Sequence, residues 1–196
     1  MQQAGTVTKL EGDLSALLQQ VAPAPEALAC LGDAASPEDA LRRLAAGGFT
    51  DAAARLAAFA LPRREAVWWA CQCATHTASA TLPQAAQAAR VAAEAWVRKP
   101  SDALRRDAMA RAQESGFDTP EAWAAVAAFW SAGSMAPPGQ PDVPAAPHLP
   151  GTAVAGAIAL AAVRLHPERR AARLARFLES ARDIAAGGAG RLEPEG

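Results

Sequence analysis

The sequence predicts an all-α protein, an irregular multi-helix bundle of antiparallel helical hairpins with a Pro-rich strap before its last two helices. Three observations predict it. Alanine fills 55 of the 196 positions, and alanine is the best helix former and a poor strand residue, which excludes an all-β fold. Apolar residues recur at i, i+3, i+4 and i+7 between Pro, Gly and Ser/Thr/Asp punctuation, the mark of short capped amphipathic helices. The connections are short, and short connections make neighbouring helices antiparallel.

The elements follow in order. Leu10–Val21 forms one helix of an N-terminal extension, residues 1–35, and a Pro-broken stretch follows it. A single helical domain, residues 36–187, opens at Ser36-Pro37-Glu38-Asp39, an N-cap serine with proline at the first helical position, and Gly47-Gly48 closes that helix. Thr50-Asp51 caps a second helix, with Ala53, Leu56, Ala57 and Ala60 on its apolar face, and Pro62 starts a third that runs to Thr77. Gln84–Arg98 is the next, stopped by Pro100, since the residue before a proline is pushed out of the α region. Ser101-Asp102 to Ser115 with Gly116 as the stop, and Thr119-Pro120-Glu121 to Ala132-Gly133, are two more. Six prolines between Ser134 and Pro150 predict an extended, partly polyproline-like connector, a spacer or a surface strap. Helices resume over Thr152–Leu165 and, after His166-Pro167-Glu168, to Ala186. Residues 188–196 read as a disordered tail, with fraying from Gly187. The echo of Glu94-Ala95-Trp96 in Glu121-Ala122-Trp123 has unmatched flanks, so no regular repeat is supported.

Charge and cysteine usage bound the function. Nineteen Lys+Arg against 20 Asp+Glu give a net charge of −1, which offers no electrostatic drive toward nucleic acid or an anionic membrane. Met1–Gly12 lacks the basic start and apolar core of a secretory signal, and the odd set Cys30, Cys71 and Cys73 fits reduced thiols in a cytoplasm. The longest apolar run, Ala153–Val163, spans only about 17 Å as a helix, so membrane insertion is not expected. Lysine occurs only at positions 9 and 99, and Tyr and Asn are absent, a bias that points to a GC-rich bacterial genome.

The sharpest local feature is Pro62-Arg63-Arg64-Glu65-Ala66-Val67-Trp68-Trp69-Ala70-Cys71-Gln72-Cys73. Adjacent helical residues point about 100° apart, so Trp68 and Trp69 cannot share one core face; either both are buried in a central helix or one reaches a partner or ligand groove. Cys71 and Cys73 lie about 200° apart on a helix and cannot join His76 around one ion, and no cation stands near either thiol to activate it, so neither metal binding nor nucleophilic catalysis is expected. His148 and His166 read as surface histidines. HExxH, a phosphate loop, a G-x-S-x-G elbow and paired carboxylates are all missing, and no cofactor is implied. Arg169, Arg173 and Arg176 form one face of the last helix opposite Leu174, Phe177, Leu178 and Ile184, either solvated or docking an acidic partner. Trp123, Phe129 and Trp130 lead into Ser134-Met135-Ala136-Pro137-Pro138, where the strap either seals the helix end or forms a shallow pocket with Met135.

Arg64–Cys71, Ala95-Trp96-Val97 with Pro100-Ser101-Asp102, Phe129-Trp130-Ser131 with Gly133-Ser134 and Pro137-Pro138, then Pro167-Glu168-Arg169 and Phe177-Leu178, occur together. This combination resembles an uncharacterised family of small helical bacterial proteins over Pro62–Gly187. The resemblance implies proteins that accompany type VI secretion components, and with that an adaptor or chaperone role. It carries no catalytic residue.

The leading expectation is therefore a non-enzymatic cytoplasmic helical adaptor or effector chaperone that binds a protein partner. Its candidate surface comprises Glu65, Trp68, Trp69, Asp102, Trp130, Met135, Arg169, Arg173 and Arg176. A small-molecule sensor or enzyme would instead use a pocket around Trp68, Trp69 and Trp130, with Glu65 or Asp102 as its polar group. A structural subunit would self-associate through an Ala-rich face such as Ala153, Ala157 and Ala161.

Overall fold

A computed structural model describes residues 8–195; positions 1–7 of the N-terminal lead-in and Gly196 of the tail lie outside the described residues. Ten α-helices and one 3₁₀ turn make up its regular structure, and the described residues contain no strand. The helices are α1 Leu14–Val21, α2 Pro25–Leu31, α3 Pro37–Ala46, α4 Thr50–Ala60 and α5 Arg63–His76. They continue as α6 Gln84–Arg98, α7 Asp102–Ser115, α8 Pro120–Trp130, α9 Leu149–Val163 and α10 Arg170–Ala185. The fold is all-α.

The starts are set by side chains whose oxygens accept a backbone N–H two or three residues on. Ser36, Ser101 and Thr119 cap α3, α7 and α8 as their sequence positions require, and Asp13 caps α1. Helix α1 is consequently shorter than Leu10–Val21. Thr50 lies inside α4, whose cap position is Phe49. The Pro-broken stretch is itself a helix: Pro25 occupies the first position of α2, where its missing N–H removes no bond.

Helices α8 and α9 form the centre. Only Trp123 and Trp130 of α8 are not fully buried, and α8 touches α5, α6, α7 and α9. Helix α9 has no polar stripe because α4, α5, α8 and α10 all pack on it. Its Ala153–Ala157–Ala161 stripe is wholly buried, so small side chains serve close approach within the bundle and leave that face no surface for self-association. Helices α1 and α2 send Leu17, Val21, Ala27 and Leu31 into the same core, so the N-terminal extension and the remaining helices are one packed unit.

Arginines complete the helix C-termini, where the last carbonyls lack an intrahelical donor. Arg43 donates to Leu31 O at the end of α2, Arg164 to Ala74 O of α5 and Arg64 to Val97 O of α6. Arg105 and Arg63 donate to Phe129 O and Ser131 O at the end of α8, and Arg173 to Ala162 O and Arg164 O at the end of α9. A guanidinium offers five donors in a rigid fork and places positive charge at the negative end of the helix dipole. Packing therefore gives the near-exclusive use of arginine over lysine a role in the folded protein.

Two expectations are corrected. The proline-rich segment is not an extended connector: Ser134 pairs with Pro144, Met135 N–H donates to Val143 O at 2.7 Å, and the chain doubles back as a loop. Arg105, only 1% exposed, holds that loop by donating to Ser134 O at 2.8 Å while its guanidinium lies 4.5 Å from the centre of the Phe129 ring. The loop ends earlier than its prolines suggest, because Pro150 sits in the first turn of α9. The C-terminal tail, in turn, is not frayed. Residues 187–195 return across the bundle and dock on it.

Candidate functional site

The docked tail lies in a groove between α5 and α10, and the groove is built by helical periodicity. On α5, Trp68, Gln72 and His76 stand four residues apart and form one stripe. On α10, Arg173, Ser180 and Asp183 recur at seven and three residues, so they also share a face. Both stripes point at the same extended segment.

Nearly all of the polar contacts grip the tail's backbone. Trp68 Nε1 donates to Ala189 O at 2.7 Å, Ser180 Oγ donates to Gly190 O at 2.5 Å, and Asp183 Oδ2 accepts from Gly190 N–H at 2.7 Å. Gln72 Oε1 accepts from Leu192 N–H at 3.4 Å, and Glu195 N–H donates to His76 O at 2.7 Å. His76 Nδ1 pairs with Glu193 O; a carbonyl can only accept, so that nitrogen carries the ring proton. His76 is 2% exposed and lies edge-on to Phe177, and its other nitrogen, Nε2, is buried without a hydrogen bond, 3.5 Å from Glu195 Oε1.

One tail side chain is anchored electrostatically. Arg173 donates to the Glu195 carboxylate from Nε at 3.0–3.1 Å and from Nη2 at 2.7 Å, a two-pronged charge-assisted pair. These hydrogen bonds, with the positive charges of Arg173 and Arg169 nearby, hold the Glu195 carboxyl below the usual carboxylate range. Leu192 packs on the core as the apolar contact. Beside the tail, a cavity of about 330 Å³ remains open, lined by Arg176, Glu179, Ser180 and Arg191 among others.

The structure divides the residues singled out in the sequence. Trp68, Arg169, Arg173 and Arg176 converge on the tail groove. Trp69 does not reach a surface: it is 0% exposed, and its Nε1 donates to Phe177 O at 2.8 Å. Arg173 is not a solvated cation, being 2% exposed and committed to Glu195 and to the end of α9. Glu65 pairs with Lys9 at 3.3 Å. Asp102 pairs with Arg105 and Arg106 near the Met135 loop, and Trp130 meets Trp123 edge-to-face at 6.5 Å. Trp68, Trp69 and Trp130 thus do not build one aromatic pocket. Gln72, Ser180, Asp183 and Glu195 were not singled out by the sequence; the four-residue spacing of Trp68, Gln72 and His76 beyond the charged first turn of α5 is the signal that marks its half of the groove.

Cys71 and Cys73 are fully buried, and desolvation raises both thiols well above their ordinary value. Among the described residues no three His, Cys, Asp or Glu side chains are grouped to hold a metal ion. No single described helix is long and apolar enough to cross a membrane. No curated protein and no solved structure matches this chain. Residues 40–185, which contain every helix residue of the groove but not the tail, match DUF6931, described as a family of unknown function, and the chain belongs to that family.

Proposed function

We propose that this protein is a non-enzymatic helical adaptor that binds an extended segment of a protein partner in the groove between α5 and α10. The observation that supports this reading most is the mode of recognition there. Trp68, Gln72, His76, Ser180 and Asp183 hold a strand of chain by its backbone, and Arg173 takes one carboxylate. Main-chain bonds with one or two side-chain anchors are how folded domains read peptides. The groove residues lie within the family region 40–185, whereas the strand they hold lies beyond it. A bacterial cytoplasm and work beside type VI secretion components belong to the same proposal and rest on the resemblance of Pro62–Gly187.

The test is capture from cells that make the protein naturally, using the wild type and a Leu192→Asp, Glu195→Arg variant that frees the groove. A partner enriched by the freed groove, and lost when Gln72→Ala and Ser180→Ala are added, supports the adaptor. Equal recovery with all three proteins removes the groove from the reading.

A second reading has its own observation. A cavity of about 430 Å³ opens between α4 and α9, with Phe59, Ile158 and Leu174 as its apolar wall and Gln20, Asp51 and Arg55 at its polar rim. It replaces the tryptophan pocket as the place for a small ligand. Metabolite-induced stabilisation abolished by Ile158→Trp would support it.

A further inference from the structure

We infer that the α5–α10 groove reads the pattern Gly-x-Leu-x-x-Glu, and that the chain's own Gly190–Glu195 occupies it as an internal competitor of a partner carrying the same pattern. The inference rests on the adaptor reading and specifies its ligand. Each fixed position has a physical cause.

The glycine is required twice over. Gly190 has φ +59, and a Cβ there would stand 2.3 Å from Ile184 Cγ1 and 2.9 Å from Ser180 O. Ser180 O is helix backbone and cannot yield, so the close approach that lets Ser180 and Asp183 bond the Gly190 peptide group admits only glycine. Two residues on, Leu192 packs against the core, the one apolar side chain the segment contributes. Three residues further, Glu195 meets the Arg173 fork, with its own N–H fixed on His76 O. Arg191, Glu193 and Pro194 are exposed, which leaves the intervening positions unread.

The occupant is a strand of another protein with this chemistry. The groove's contacts grip backbone and one carboxylate, features any chain of that pattern presents, while the segment now in place is joined to α10 through the four small residues Ala186-Gly187-Gly188-Ala189. A tethered strand competes at an effective concentration in the millimolar range, so an outside segment binds visibly only when the tail is weakened or the outside segment is better.

The experiment uses the full chain and a fluorescein-labelled peptide of residues 187–195, read by anisotropy. The Leu192→Asp, Glu195→Arg variant, with its circular dichroism and melting temperature checked against wild type, binds the peptide at least tenfold tighter than wild type does. Peptides carrying Gly190→Ala or Glu195→Gln lose at least tenfold of that affinity, whereas Arg191→Ala and Glu193→Ala peptides keep it. Should the double variant not fold, Glu195→Gln in the full chain gives the same comparison with a smaller gain. Absence of peptide binding to a folded freed groove overturns the inference, as does equal binding of the Gly190→Ala and Glu195→Gln peptides. A captured partner that the peptide cannot displace also overturns the pattern, and leaves the adaptor reading standing by itself.

Discussion

Arg164 closes a two-nitrogen fork on Glu121 across 43 residues of sequence, with Nη1 2.9 Å from Oε1 and Nη2 against Oε2. Glu121 sits in the first turn of α8, where the helix dipole favours a carboxylate, yet it is 0% exposed and needs a counter-charge in addition. Arg164 supplies that charge from just past α9 and reaches Ala74 O of α5 with the same nitrogen. One guanidinium thereby joins three central helices.

Arg164→Met leaves the Glu121 carboxylate buried and unpaired, and should destabilise by about 3–5 kcal/mol in urea unfolding. Adding Glu121→Leu should recover much of the loss, because an apolar pair carries no desolvation penalty. A double variant no better than the single one would mean that shape at this point outweighs charge.

Docking of the tail should weaken in acid. The Glu195 carboxyl lies below its ordinary 4.5 in the folded protein, chiefly through its hydrogen bonds to Arg173, with the positive charges of Arg173 and Arg169 facing it. A lowered folded value means that the contribution is complete above the unfolded value of 4.5 and is lost as pH falls through the folded value. The NMR signal of the Trp68 indole N–H, bonded to Ala189 O, is the reporter: it should hold steady from pH 7 to about 5 and move below that. With Glu195→Gln that acid step disappears.

Two glycines of α9 should respond oppositely to alanine. A Cβ on Gly156 meets Trp123 at an ordinary 3.7 Å, so Gly156→Ala should stabilise by about 0.5–1 kcal/mol through helix propensity. A Cβ on Gly151 would lie 2.5 Å from the Phe59 ring, and overpacking of about 1–3 kcal/mol should outweigh the same gain. Thermal melting of both variants decides the signs.

Thiol chemistry should separate the three cysteines. Burial pushes the Cys71 and Cys73 thiols far up, while Cys30 is only partly buried and its Sγ contacts Arg43 O at 3.4 Å. Ellman's reagent should find at most one reactive thiol in the native protein and three in guanidinium. Rapid reaction of all three under native conditions would contradict the packing around α5.

The helices were largely legible because their signals are local: a serine or threonine cap, a proline in the first turn, a glycine stop. The misreadings share a different cause. Two prolines disguised α2, although Pro25 at its first position is compatible with a helix. Arg173 falls on a charged face by periodicity, and only Glu195, brought back from 22 residues away, gives its buried charge a partner. The tail's glycines look like fraying until Ile184 and Asp183 are seen to need the absence of a side chain beside them. Half of the groove was visible, in Trp68 and the arginines, because α5 and α10 are local objects; what fills it depends on a long-range contact that no spacing encodes.

The arginines that complete the helix ends impose a mutual dependence on folding. The end of α6 waits for α5, the end of α5 for the residue beyond α9, the end of α9 for α10, and the end of α8 for both α5 and α7. Excision of α5, α7, α10 or the end of α9 with Arg164 strands carbonyls in a neighbour, so the amides of the dependent helices should exchange with solvent as one cooperative block. The tail stands largely outside this chain of dependence. Arg173 keeps its Nη1 bonds to α9 whether or not Glu195 is in place, so lifting residues 189–195 would strip one terminal carbonyl, His76 O of α5, and leave every arginine-completed helix end intact.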